Sequence, residues 1–189
     1  LAPTPLATCE IQGYAYDARL RCARLAREIW KDEALAAKLE TQAADLRRRF
    51  NEDFWIPDRR FFALALDGHK RKVDSLCSNI GLLLWSGIVD DDKAPALRDH
   101  LMSPQMFSGW GIRTMAVGEG GYNPIEYHNG TVWPHDNSFI AAGLARYGFR
   151  QDAAAIIAGI FEASWFFNAR LPEVFSGYDR ANTRYPVQY

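Results

Sequence analysis

The segment Tyr127-His128-Asn129-Gly130-Thr131-Val132-Trp133-Pro134-His135-Asp136-Asn137 packs two histidines, two asparagines, an aspartate, a tyrosine and a tryptophan into eleven residues. Planar hydrogen-bonding side chains beside an indole suit a pyranose ring, which needs an apolar face to stack on and partners for its hydroxyls. The same residues also suit a plainer role, in which His135, Asp136 and Asn137 cap a helix and satisfy a loop. The segment alone supports both. His128, His135 and Asp136 follow no ligand spacing such as HExxH, and no cysteine stands near them, so no metal is expected.

Glu173 lies between Pro172 and Val174 in a poorly helical stretch. Half-buried among apolar neighbours, its carboxylate would be poised as a base; as a surface glutamate it would be ordinary. Trp110 and Arg113 sit in Ser108-Gly109-Trp110-Gly111-Ile112-Arg113-Thr114, where flanking glycines suggest an accessible indole and the guanidinium suits a hydroxyl or carboxylate. Packing is the alternative for both. Gly118 to Gly121 holds no GxGxxG, and neither a GxSxG elbow nor a Cys beside a His occurs, so phosphate cradling and nucleophilic triads find no support.

These residues need elements to hold them. Ile11, Ala15, Ala18, Cys22, Leu25 and Ile29 recur at helical spacing and predict the buried face of a first helix. Asp32 caps a second, with Leu35, Leu39, Leu46 and Phe50 on one side and Lys38, Glu40, Asp45 and Arg47 to Arg49 on the other. Phe61 to Leu66, followed by Asp67-Gly68 and a basic run, predicts a β-hairpin. Ser78 or Asn79 opens a third helix, Ile80 to Ile88, apolar nearly all round. A fourth follows Asp90-Asp91-Asp92 with Pro95 in its first turn.

Residues 109–132 contain six glycines and no period, a loop too long to be a passive connection. Pro134 opens a fifth helix, with Ile140, Gly143, Leu144 and Tyr147 on one face and Gly148 at its end. A sixth runs from Asp152 to about Phe167 with Ile156, Ile157, Ile160, Phe161 and Trp165 inside. Helices three and five are apolar on most sides, two and four amphipathic. That alternation fits inner and outer layers of a barrel of helical hairpins, and equally an ordinary bundle. Repeated hairpins would open helices one, three and five on a common face. The loops Cys9-Glu10-Ile11-Gln12, Asp74 to Asn79 and Tyr127 to Asn137, and the returning segment Leu171 to Phe175, would then meet at a single mouth.

Lys and Arg number 22 and Asp and Glu 23, a net charge of -1 that gives no reason to expect a nucleic-acid partner. No apolar run reaches the length of a membrane span. Cys9, Cys22 and Cys77 are odd in number and widely spaced, which fits a reducing, cytoplasmic setting. Neither Leu1-Ala2-Pro3-Thr4-Pro5 nor Val187-Gln188-Tyr189 carries a signal or stop signature, so the chain is expected to be cut from a longer one. No consensus recurs at fixed period, which argues against a repeat array.

From Tyr127 through Asn137, and on through Ser138-Phe139-Ile140-Ala141-Ala142-Gly143-Leu144-Ala145-Arg146-Tyr147-Gly148, the sequence resembles bacterial amylo-α-1,6-glucosidases of the glycogen-debranching type. These are related to mannosylglycerate hydrolase-like and GH63-like six-hairpin glycosidases. Glu10-Ile11-Gln12-Gly13-Tyr14, Ser108 to Thr114 and Leu171-Pro172-Glu173-Val174-Phe175 extend the resemblance in order. It implies a mainly α fold, about half of an (α/α)6 barrel, with residues 1–189 forming the C-terminal portion of a catalytic domain. It further implies inverting hydrolysis of an α-glucosidic bond, with Glu173 as general base and no cofactor. The general acid, an aspartate in a Gly-Arg-Asp motif, has no equivalent here and is expected in a missing N-terminal part. Trp133, His135, Asp136, Asn129, Trp110, Arg113, Tyr127, His128 and Gln12 would bind an oligosaccharide or small α-glucoside. The alternative is a carbohydrate-binding or scaffold protein that keeps the fold without the chemistry. Half a barrel would expose apolar helix faces, so the 189 residues alone are expected to be inactive.

Overall fold

A computed structural model describes residues 2–188; Leu1 and Tyr189, in the end segments read above, lie outside the described residues. Among the described residues six α-helices carry the fold: α1 (Cys9–Leu25), α2 (Glu33–Asp53), α3 (Asn79–Ser86), α4 (Ala94–Leu101), α5 (Pro134–Arg146) and α6 (Arg150–Ser164). Helix α1 continues as a π-helical turn, Ala26–Trp30. Left-handed Lys31 then hands the chain to Asp32, whose Oδ1 accepts the Leu35 amide at 2.9 Å. Helix α1 packs on α2 and on α3, α3 on α5, and α5 on α6. The row α1–α3–α5 is an inner layer, with α2 behind α1 and α6 behind α5, and the chain forms part of a six-hairpin barrel. Among the described residues no helix is long and apolar enough to cross a membrane.

The inner helices meet through small residues. A Cβ on Gly81 would stand 2.5 Å from Ile140 Cγ1, and one on Gly143 would stand 2.5 Å from the backbone nitrogen of Trp85. The second contact is with main chain, which cannot rotate away. Gly143→Ala is therefore expected to pry α5 from α3 and destabilise the fold by about 1–3 kcal/mol, read by thermal or denaturant unfolding. An unchanged midpoint would show that the two helices have slack.

Two expected helix faces are corrected. Helix α1 buries Cys9, Gly13, Tyr16 and Ala23, not the stripe from Ile11 to Ile29. Ile11, Leu25 and Ile29 are exposed, Ile29 to 66 %. Helix α6 buries Ala153, Ile156, Gly159, Ile160 and Ala163, while Ile157, Phe161 and Trp165 are exposed, Trp165 to 76 %. In both, the side with small residues approaches its neighbours and the bulkier stripe is left uncovered. Tyr14, Trp85 and Phe139 form an edge-to-face row across α1, α3 and α5, with centroids 6.1 and 4.8 Å apart.

The β structure is two small ribbons. β1 (Ala7–Thr8), β4 (Ala65–Leu66) and β5 (Lys72–Val73) form one antiparallel sheet; β2 (Trp55–Ile56) and β3 (Phe61–Phe62) form another. The hairpin expected at Asp67-Gly68 is present between β4 and β5, but Phe61 and Phe62 pair with Trp55 and Ile56 instead. Asp67 Oδ1 accepts the amides of His69 and Arg71, and its Oδ2 accepts Arg71 Nε. Burial alone would raise this carboxyl; the Arg71 and His69 amides and the Arg71 guanidinium outweigh it and hold it below the ordinary 3.8. A depressed folded-state value contributes stability above the unfolded pKa, and that contribution is lost as pH falls through the folded one. The melting temperature is thus expected to drop on acidification below about pH 4, and Asp67→Ala to flatten that drop. Parallel curves for the two proteins would contradict this.

Candidate active site

The N-termini of α1, α3 and α5 open together on a hollow of about 450 Å³. Glu10, Ile11 and Tyr14 of α1 form one wall, Cys77, Ser78, Asn79 and Leu82 another, and Asp136 of α5 a third. Leu64, Thr114, Met115, His128 and Asn129 complete it from the loops. Ser78 precedes α3 without capping it. Its hydroxyl donates instead to Asp136 Oδ2 at 3.0 Å, tying the starts of α3 and α5 together.

Beside the hollow the loops build a small patch of extended backbone from isolated pairings. Arg113 bridges Val132, Val132 bridges Phe175, and Phe175 bridges Gln188. Val132 and Phe175 exchange both amide bonds, at 2.9 and 3.1 Å. The segment bearing Glu173 is thereby fixed alongside the segment that leads into Trp133. Tyr127 donates its hydroxyl to Glu173 Oε1 at 2.7 Å, and its ring meets the Trp133 indole edge-on at 4.7 Å. Trp133 Nε1 donates to the Tyr127 carbonyl at 3.0 Å and to Thr131 Oγ1 at 3.1 Å. His128 lies flat against Trp133, 5.4 Å between centroids at 11°. One face of that indole is therefore already covered. Glu173 and Trp133 lie outside the lining of the hollow and connect to it through Tyr127 and His128.

His135 is exposed, edge-on to Phe139 at 5.0 Å, with Nδ1 3.7 Å from Asp136 Oδ1. Asn129 is half-buried on the hollow's wall. Asn137 plays the plainer role: its side chain exchanges bonds with the Ile112 backbone at 2.7 and 3.1 Å and donates to the Trp133 carbonyl. Among the described residues no three His, Cys, Asp or Glu side chains are grouped to hold a metal ion.

Three expectations are corrected. Trp110 is 3 % exposed, packed in a cluster with Val132, Ile160 and Phe175 and covered by the Arg180 guanidinium at 4.3 Å. Arg113 is fully buried, donating to the carbonyls of Gly177 (2.6 Å), Pro104 (2.9 Å) and Gln105 (3.3 Å) and to Asp179 Oδ1 (2.5 Å). Every arm of the fork is taken, so Arg113 has nothing left for a substrate. The Gln12 amide turns back to the Thr8 carbonyl at 3.2 Å, away from the hollow's lining. Of the two placements left open for Glu173, the structure has the exposed one, because Val174 and Phe175 turn inward and leave its side chain outside. Conversely, Glu10, Tyr14, Ser78 and Asn79 line the hollow without having been assigned a role. The helix-opening loops that contain or precede them were the available signal.

The sequence matches the mannosylglycerate hydrolase MGH1-like glycoside hydrolase domain family over residues 4–165, a span that ends before Glu173. No curated protein matches it. Among solved structures, a neutral trehalase from Saccharomyces cerevisiae superposes with a TM-score of 0.76 at 16% identity, over 91% of this chain and 34% of that one. A mannosylglycerate hydrolase from Thermus thermophilus in complex with glucose gives 0.74 at 18% identity, over 96% of this chain and 41% of that one. An uncharacterized conserved protein from Thermus thermophilus gives 0.76 at 17% identity, over 92% and 43%. The chain thus spans less than half the length of each.

Proposed function

The chain belongs to the MGH1-like glycoside hydrolase domain family, and from that premise we propose that it supplies the base-side half of an inverting α-glucosidase site. Glu173 is the general base, activating a water on the face of the sugar opposite the leaving group. The observation that carries this reading is the Tyr127 hydroxyl bond to Glu173 Oε1. It holds a carboxylate in one orientation beside Trp133, next to a hollow walled by Asn79, Asn129, His128 and Asp136. Those side chains offer donors and acceptors to sugar hydroxyls. An α-1,6-linked glucose, as at a glycogen branch point, is the finer substrate we assign, and the three free cysteines support a cytoplasmic setting.

The general acid and the remaining hairpins belong to a preceding part of the same polypeptide. The uncovered apolar stripes on α1 and α6 support this, since exposed apolar faces of that kind call for a cover. Hydrolysis by the full-length polypeptide with and without Glu173→Gln tests the reading. Loss of turnover with sugar binding retained supports it; undiminished turnover removes Glu173 from the base role and favours the carbohydrate-binding alternative.

A further inference from the structure

We propose that Ser78 is a positioning residue for substrate binding: its buried hydroxyl holds Asp136 so that the other carboxylate oxygen accepts a hydroxyl of the bound sugar. The inference rests on the reading that the hollow beside Glu173 receives the sugar of a glycoside.

Ser78 stands where a helix cap would stand and does not act as one. Its backbone is already helical, and the first amides of α3, those of Ile80 and Gly81, go to the carbonyls of Cys77 (3.4 Å) and Ser78 (2.8 Å). Its own amide donates to the Thr114 carbonyl at 3.0 Å, which pins the residue to a loop that also lines the hollow. The backbone is thus satisfied on both sides without the side chain. A buried hydroxyl still needs a partner. This one donates to Asp136 Oδ2 at 3.0 Å, 58 residues further along the chain.

Asp136 lies in the first turn of α5, where a carboxylate commonly serves the N-terminus of its own helix. Here it reaches across to α3 instead, half-buried in the wall of the hollow. With Oδ2 taken by Ser78, Oδ1 is the acceptor left over: His135 Nδ1 stands 3.7 Å from it, beyond hydrogen-bond reach. A carboxylate with one oxygen tied and the other turned to a polar hollow is a preorganised acceptor, and a charged acceptor makes the stronger bonds to hydroxyls. The Ser78 bond is not what joins the two helices. They are locked by close approach deeper along the pair, where Gly81 meets Ile140 and Gly143 meets the Trp85 backbone. Removing one hydroxyl therefore leaves α3 and α5 in place and frees the Asp136 side chain.

The test uses the full-length polypeptide, with isomaltose as an α-1,6-linked substrate and glucose as a binding probe. Ser78→Ala is expected to raise KM for isomaltose and Kd for glucose by about three- to tenfold, the worth of one oriented hydrogen bond, with kcat within about twofold. Ser78→Thr keeps the hydroxyl and is expected to restore most of the affinity. Because Ser78 acts through Asp136, Ser78→Ala is expected to weaken binding no further in an Asp136→Ala background. A merely structural serine would lower the melting temperature and the active fraction, hence kcat, at unchanged KM and Kd. Unchanged glucose affinity in Ser78→Ala overturns the inference, as does a threonine variant equally impaired, or an equal loss with and without the Asp136 carboxylate. Should Ser78→Ala fail to fold, Ser78→Cys, a weaker donor of similar size, carries the same expectation. The two readings fail separately. Glucose binding that responds to Ser78, in a protein that leaves isomaltose intact, defeats the α-1,6-glucosidase reading and upholds the positioning role. Hydrolysis with binding indifferent to Ser78 does the reverse, and a protein that neither binds glucose nor cleaves isomaltose defeats both.

Discussion

Full-length polypeptide carrying Glu173→Gln is expected to lose between about 10² and 10⁴ in kcat while its affinity for an α-glucoside changes little. The substitution keeps the shape of the side chain and leaves an amide oxygen to accept the Tyr127 hydroxyl, so the Tyr127–Trp133 contact is retained. What it removes is the capacity to take a proton from water. An inverting site has no second route for that proton, because the other carboxyl group stands across the sugar as the acid. The effect should therefore fall on kcat and not on ground-state binding. A comparable loss of affinity would instead mark Glu173 as a substrate ligand.

The second large effect concerns stability. Arg113→Met is expected to cost about 1–3 kcal/mol in denaturant unfolding, because removing the fully buried guanidinium leaves the buried Gly177 carbonyl without its donor, while the half-exposed Asp179 can turn to water. The acceptors that lose this donor are the carbonyls of Pro104, Gln105 and Gly177 and the carboxylate of Asp179. Methionine fills much of the volume but donates to none of them. The clasp joins residues 104–105 to 177–179, next to the Gly177 backbone, where an added Cβ would fall 1.7 Å from the Gly130 carbonyl oxygen. No slack is available for these segments to find other partners. A cost below about 1 kcal/mol would mean that the loops are held by their backbone pairings alone.

Local signals in the sequence were readable where one residue fixes one geometry. Asp32 capping α2, Pro134 opening α5 and Asp67-Gly68 turning a hairpin all stand as the residue types dictate. The apolar stripes of α1 and α6 were also legible, but not what covers them. Periodicity finds a face and says nothing of its partner, and here the small-residue side won each contact. The glycines beside Trp110 misled for a physical reason. They suggested an accessible indole, whereas a Cβ at Gly111 would collide with Val132 and one at Gly109 with Arg180, so they mark close packing. The convergence of the openings of α1, α3 and α5 on one hollow followed from counting hairpins, whereas the returning segment at Glu173 stands beside that hollow and not in its lining. The pairings that bring Phe175 to Val132 involve single residues, too short for any period to reveal.

The most direct measurement is a crystal structure of the full-length Glu173→Gln protein with an α-glucoside bound. The account predicts the glucose ring against His128, Asn129 and Asp136, with the side chain of residue 173 within about 3 Å of a water facing the anomeric carbon. A sugar seated elsewhere on the molecule, with residue 173 facing solvent and the hollow empty, would contradict it.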